Sequence, residues 1–438
     1  MPLPPRRPGD VLTFRELLRL RSELDLTGRT HQFSSRIRAE RAEAIDALRL
    51  RRVMSPAGRE VEVVGHRGEQ MRMLMFGSND YLGLATHPRV KARVREAVEA
   101  YGVGAGGPPL FNGHGPLHRE LEARLAAFEG MEDALLFTSG YSANVGLMST
   151  LPGPKDLVLY DVESHASTLD GLRMGKVEAR PFPHNDARAL DAMLTQARGD
   201  YRDVFVSVEG VYSMSGDICR LDQIGEVCRR HGARLTIDEA HGTGVTGPNG
   251  HGTVSMFDAA DDVTSVMGTF SKTFGVSGGF IASDRDIVEY LRNCARSYIF
   301  STSPATTICA AVLAGLDVIE QEPELHGRLM DVCGYLAAGL QERGIPANGL
   351  TAVFPMFVPP RTDMRAAAHD FHRRGLFVNH AEAPAVPVAK QQFRVSLTAD
   401  HTREDVDRLL EGIDAVWAVH VLPLSDGGTL PVREKSVR

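Results

Sequence analysis

The chain has 438 residues, 43% of them apolar and 24% charged, which is enough side-chain volume for a large buried core and rules out a peptide-sized module or global disorder. Its 49 Lys and Arg against 56 Asp and Glu leave a net charge of −7, so no basic field invites phosphate backbones or anionic membrane surfaces, which argues against nucleic acid as a main partner. Five cysteines (Cys219, Cys228, Cys294, Cys309, Cys333) lack any C-x-x-C spacing and make an odd count, which reads as reduced thiols in a cytoplasmic setting.

The first ten residues hold four prolines and are expected to be flexible, with no apolar stretch after Arg6 and Arg7 of the kind a secretory signal needs. From Phe14 to Arg52, Leu17, Leu18, Leu20, Leu24 and later Ala44, Ile45 and Leu48 recur at helical spacing among arginines. This predicts exposed amphipathic helices, either a solvated basic face or an arm on a partner subunit. β-like stretches follow at Val61–Val64 and Met71–Met75. Then comes a regular alternation: apolar strands at Leu135–Thr138, Leu157–Tyr160, Val204–Val208, Arg234–Ile237 and Val263–Met267, and helical patterns at Val90–Tyr101, Leu117–Phe128, Tyr141–Met148, Ala187–Gln196 and Leu221–His231. Such alternation predicts an α/β domain with a mostly parallel sheet between helices, its active-site residues at strand ends and the loops after them. The apolar tract Ile308–Ile319 is interrupted by Asp317 and falls short of the ~20 residues that cross a bilayer. It lies in a long helix, Ala305–Glu322, leading into a smaller α+β unit that ends near Val421. The expected division is an N-terminal arm and small segment at 1–75, a large domain at 76–315, a C-terminal α+β domain at 316–422 and a frayed tail at 423–438.

The densest chemical signal is Thr236-Ile237-Asp238-Glu239-Ala240-His241-Gly242-Thr243-Gly244, where Asp238 and His241 leave a strand together. Asp-Glu-Ala-His suggests a helicase box, but that needs a phosphate loop, and the nearest approach, Gly171 to Val177, has the wrong spacing and no hydroxyl after Lys176. Gly102 to Gly107 mimics a dinucleotide fingerprint, but it follows a helical pattern, so it reads as a place of close backbone approach. Lys272 stands directly after a strand, in Thr269-Phe270-Ser271-Lys272-Thr273, placed to form a Schiff base with an aldehyde. A lone lysine in a turn is ordinarily just solvated. Here a carboxylate for a pyridine nitrogen, a histidine for a ring oxygen, hydroxyls for a phosphate and a lysine for an aldehyde together meet the needs of pyridoxal 5'-phosphate, with no metal cluster in view.

These residues resemble the α-oxoamine synthase family of fold-type I pyridoxal phosphate enzymes, which includes serine palmitoyltransferase, 8-amino-7-oxononanoate synthase and 2-amino-3-ketobutyrate CoA ligase. The resemblance runs from about Phe76 to Thr402 and rests on ordered motifs: Gly77 to Leu84, His118 to Leu125, Thr138 to Asn144, His165-Ala166-Ser167, Ser213 to Asp217, the Asp238/His241 and Lys272 turns, and Arg394 to Leu397 before His401-Thr402. Ala295-Arg296-Ser297, Phe377-Val378-Asn379 and Pro384-Ala385-Val386-Pro387 look most like bacterial serine palmitoyltransferases.

The resemblance implies that Lys272 carries the cofactor and later removes the α-proton, that Asp238 pairs with the pyridinium nitrogen, that His241 bonds the phenolic oxygen and that His165 stacks on the ring. Phosphate binding falls to Ser139, Gly140 and Tyr141 at a helix start, to Thr269 and Ser271, and to Thr302 from a neighbouring subunit, hence a homodimer with shared active sites. Arg394, helped by Asn79 and Ser213, would grip the amino-acid carboxylate, with Glu209 nearby. The implied reaction is a decarboxylating condensation of a small L-amino acid, serine favoured, with an acyl-CoA or acyl-carrier-protein thioester. Glycine or alanine as the amino acid, an aminotransferase or simple decarboxylase, and a noncatalytic partner subunit are the alternatives; Lys272 argues against the last. Two departures stand out. Pro108-Pro109 replaces a serine or threonine followed by arginine, which puts thioester recognition in question, and Ile218-Cys219-Arg220-Leu221 replaces an Ala-Pro turn.

Overall fold

The computed structural model describes residues 21–42, 51–65, 68–383 and 386–421. The proline-rich start, the tail at 423–438, the apolar positions 17, 18, 20, 44, 45 and 48, and Pro384-Ala385 lie outside the described residues. Within them, the helix Leu26–Ala42 is largely polar and leaves its Leu26 and Phe33 exposed; of the apolar positions expected to give the arm its amphipathic face, only Leu24 is described.

Fourteen strands are described, numbered here in chain order, and half of them build the central sheet. These are β4 (Asp133–Phe137), β5 (Leu157–Asp161), β6 (Glu178–Phe182), β7 (Val204–Glu209), β8 (Arg234–Asp238), β9 (Val263–Thr269) and β10 (Gly279–Ser283), in the spatial order β4-β10-β9-β8-β7-β5-β6. Parallel pairing joins β9, β8, β7, β5 and β6, whereas β10 runs antiparallel to both β9 and β4. Alternate residues of each strand enter opposite cores. Leu135, Phe137, Val158, Met267 and Ile281 pack on one face with the helices Gly140–Thr150 and Arg285–Cys294, while Leu157, Leu159, Leu235, Ile237 and Val266 pack on the other. With both faces covered, the central strands are continuous apolar runs, which is why they are conspicuous in the sequence. Two strands of this central sheet were missed there. β6 carries Pro181 and is half exposed at the sheet edge, and β10 follows two glycines in a turn that hides its start.

Residues 52–75 do not stand apart. β1 (Arg52–Val53), β2 (Glu60–Val64) and β3 (Gln70–Met75) form an antiparallel ladder, and β3 continues in parallel into β12 (Leu376–Phe377) of the C-terminal part. A second small sheet, β11 (Val353–Phe357), β14 (Gln392–Ser396) and β13 (Asn379–Ala381), is antiparallel throughout. The division expected between residues 315 and 316 falls inside the continuous helix Thr306–Gln321. The Gly102–Gly107 loop follows the helix Pro88–Tyr101 and meets a single π-helical turn, Pro109–Gly113, that Pro108 opens. The altered Ile218 to Leu221 stretch makes a bridge with Val211 and starts the helix Leu221–His231.

Candidate active site

Four neighbouring strands, β9, β8, β7 and β5, deliver Lys272, Asp238, Glu209 and His165 at their C-terminal ends. Parallel strands all end on the same side of the sheet, so residues far apart in sequence share one surface. Asp238 is buried; its Oδ1 accepts the Ala240 amide at 2.9 Å and its Oδ2 accepts Asn144 Nδ2 at 2.8 Å. Asn144 Nδ2 also donates to Ser167 Oγ at 3.0 Å, and Ser167 Oγ lies 2.7 Å from His165 Nδ1. Because Asp238 accepts only, it fixes the Asn144 amide with its nitrogen inward. The Ser167 amide also donates to His165 Nδ1, at 3.3 Å, so the proton of the neutral ring sits on Nε2. Burial pushes the His165 imidazole below its ordinary value, Asp238 opposing and Lys272 assisting.

His241 is buried, with Nδ1 2.6 Å from the hydroxyl of the fully buried Tyr81. Burial, Lys272, Arg394 and His165 hold this imidazole well below its usual range. The Tyr81 oxygen receives Arg394 and lies nearer His241 Nδ1, at 2.6 Å, than Asn79 Oδ1, at 3.4 Å, which assigns its hydroxyl proton to Nδ1; the neutral ring then keeps its own on Nε2, where it can donate to an anionic oxygen. Tyr81 is also bonded to Arg394, and burial raises its phenol to about 12. Arg394 Nε donates to the Ser213 carbonyl at 2.8 Å, and both terminal nitrogens approach Asn79 Oδ1 at 3.3 and 3.4 Å. Asn79 and Ser213, expected to touch substrate, therefore hold the arginine, Ser213 through its backbone carbonyl. A chain of contacts runs Asn79–Arg394–Tyr81–His241.

Lys272 sits in the turn after β9, and burial lowers its amine from 10.5 to about 8 despite Asp238 and Glu209. Glu209 is buried with Oε1 unpartnered, and burial followed by Asp238 pushes its carboxyl well up. Ser139 caps the helix Gly140–Thr150, its Oγ accepting the Ser142 amide at 3.0 Å. A Cβ on Gly140 would lie 2.8 Å from Thr269 Cβ, so only glycine lets this helix start approach the Thr269 and Ser271 hydroxyls, themselves 2.9 Å apart. Tyr141 is exposed, and its hydroxyl pairs with Asp170. Thr302 is exposed and makes no side-chain hydrogen bond among the described residues.

These groups fit pyridoxal phosphate. An amine with a lowered proton affinity, an acceptor-only buried carboxylate and a Gly-opened helix N-terminus beside two hydroxyls match an aldehyde, a pyridinium nitrogen and a phosphate. Sequence reasoning passed over Tyr81, Asn144 and Ser167 as individual site residues. All three lie in the quoted motifs, but their roles depend on partners 160, 94 and 23 positions away.

The aminotransferase class I and II family matches residues 72–413. The chain is 38% identical over 343 residues, 78% of its length and 81% of the relative's, to a serine palmitoyltransferase of Bacteriovorax stolpii. It is 39% identical over 375 residues, 85% of its length and 94% of the relative's, to an 8-amino-7-oxononanoate synthase of Anaeromyxobacter sp. (strain K). A solved serine palmitoyltransferase from S. paucimobilis, with PLP and myriocin bound, superposes with a TM-score of 0.83 at 30% identity, covering 90% of this chain and 99% of that one.

Proposed function

The chain belongs to the aminotransferase class I and II family, in its pyridoxal-phosphate-dependent α-oxoamine synthase branch, and from that premise we propose how its residues perform the condensation and which substrates it takes. In that reaction a small L-amino acid and an acyl thioester yield an α-amino ketone: a C–C bond forms, the thioester C–S bond breaks with release of the thiol, and the carboxylate leaves as carbon dioxide. The observation that carries the reading is the meeting of Lys272, Asp238 and His165 at the C-terminal ends of β9, β8 and β5, on one side of the sheet, with Arg394 tied to them through Tyr81 and His241. When bound, pyridoxal phosphate supplies the electron sink that lets bonds at the amino-acid α-carbon be broken and remade.

Arg394, with Nε occupied by Ser213, offers its terminal nitrogens to the substrate carboxylate. Lys272, whose amine is lowered to about 8, can hold or release a proton near neutral pH, which suits removal of the α-proton and its later return. Asp238, backed by Asn144, would keep a proton on the pyridine nitrogen, and His241 Nε2 would donate to the phenolic oxygen. His165, held by Ser167, would cover the ring, and the amides at Gly140 and Tyr141 with Thr269 and Ser271 would hold the phosphate.

Serine with a long acyl-CoA is the first reading, supported by the motifs and the serine palmitoyltransferase likeness. Glycine or alanine with another thioester is the second, favoured by the 8-amino-7-oxononanoate synthase that aligns over 94% of its length. A homodimer sharing its sites fits the exposed Thr302 and the neighbouring exposed Val103, Phe111 and Phe300. Cys219, Cys228, Cys309 and Cys333 are free and buried and Cys294 free and exposed, in keeping with the reducing cytoplasm; among the described residues no helix is long and apolar enough to cross a membrane. The test is to incubate purified protein with serine, glycine, alanine and larger amino acids against CoA and carrier-protein thioesters, scoring thiol release and product mass. Serine with a long acyl-CoA should release thiol fastest; release with no pair would remove the assignment.

A further inference from the structure

Beside the site lies a buried histidine that neither motif nor mechanism uses. His184 follows β6, and its side chain is only 1% exposed. Its Nδ1 is 3.0 Å from Asp161 Oδ1, and its Nε2 is 3.2 Å from Asp217 Oδ2 and 3.8 Å from Glu163 Oε2. Carboxylates only accept, so a ring wedged between two of them is satisfied when both nitrogens carry protons. Tyr212 meets the ring edge-on at 4.4 Å and donates its hydroxyl to Asp161 Oδ2 at 3.0 Å. Further charged or titratable neighbours among the described residues include Lys390, 2.9 Å from Glu163, and Cys219, buried near Asp161. Burial would lower the imidazole, but the bonds and charges of Asp161 and Asp217, with Glu163, raise it to about 9.

The two carboxylates belong to different working segments. Asp161 ends β5, and its Oδ1 accepts the Glu163 amide in the loop that leads to His165. Asp217 belongs to the segment 210–219, where the Asp217 carbonyl accepts the Tyr212 amide and the Ser213 carbonyl holds Arg394 Nε. Asn185 repeats the stitch one residue on: Asn185 Nδ2 donates to the Ile218 carbonyl at 2.8 Å, and its Oδ1 accepts the Arg220 amide at 2.7 Å. We propose that His184 is a positioning residue: as an imidazolium between Asp161 and Asp217 it staples the 210–219 segment, which anchors Arg394, to the loop that presents His165, and so sets the amino-acid carboxylate subsite. Its effect on substrate rests on the function proposed above; its effect on the segment does not.

The sign follows from the ring. The imidazolium contact is complete at low and neutral pH and is lost as pH rises through about 9, when one nitrogen turns a lone pair toward a carboxylate. Asp217 is 46% exposed at its side chain, so Asp217→Asn removes one arm of the staple with little risk to folding; His184→Gln removes the centre. Both would be made in the full-length, cofactor-loaded protein. Hydrogen exchange should speed across 210–219 in each variant, and L-serine, glycine or L-alanine, whichever the wild type binds, should bind roughly tenfold more weakly, with cofactor affinity unchanged. The double variant should lose no more than the worse single one. The wild type should show a step in exchange of 210–219 near pH 9, beyond the intrinsic rise with base, that is missing at that pH in Asp217→Asn. Unchanged exchange of 210–219 in Asp217→Asn would overturn the staple. A wild type that binds none of the three amino acids would sink the functional reading, while the exchange result still decides the staple.

Discussion

With its amine pushed down to about 8 by burial, Lys272 carries a substantial neutral fraction close to neutral pH. Covalent capture of pyridoxal phosphate by cofactor-free protein needs that neutral form, so the capture rate, followed by absorbance, should climb with pH to about 8 and then level off. A rate still climbing well above that value would mean that the amine is not desolvated as found here. Arg394→Lys keeps the charge but loses the planar fork, and KM for the amino acid should rise roughly 10- to 100-fold while the cofactor stays bound. Tyr81→Phe removes the donor that fixes the proton of His241 on Nε2. A net loss of about 1 kcal/mol, or roughly fivefold in cofactor affinity, is expected by spectroscopic titration, together with a shifted absorption band.

At the scale of elements, the site is a meeting of strand ends with one helix start. The helix Gly140–Thr150 can approach β9 and β10 only because neither Gly140 nor Gly279 has a side chain: a Cβ at 140 would lie 2.8 Å from Thr269 Cβ on β9, and one at 279, on β10, 2.7 Å from Gly140 Cα. Gly140→Ala should therefore cost about 1–3 kcal/mol in unfolding free energy and weaken cofactor binding by a larger factor than it weakens folding, since it moves the amides that face the phosphate. Thermal denaturation with and without cofactor separates the two effects; equal losses in both would show that the helix start plays no part in binding. The antiparallel β10 enters the same argument, because it sets Gly279 and the turn before it against that helix.

For the whole molecule, the proposed sharing of each site between two copies of the chain can be tested at the exposed Thr302. If each site borrows Thr302 from its neighbour, mixed dimers of Lys272→Ala with Thr302→Ala contain one intact site, and co-expressed, doubly tagged dimers should be more active than either parent. Mixed dimers no better than the parents would exclude the shared site. Much of this molecule was legible in its sequence. The buried parallel strands announce themselves as short apolar runs, and Asp238, His241 and Lys272 stand in turns whose spacing is local. Other features depended on residues distant in the chain: β12 pairing with β3, the antiparallel insertion of β10, Tyr81 reaching His241 160 positions away, and His184 between Asp161 and Asp217. The sequence by itself determined which chemical groups leave which strands, because side-chain type and apolar periodicity are properties of neighbouring residues. Only the tertiary structure decided which groups hold one another, because burial and pairing between distant segments set protonation and orientation.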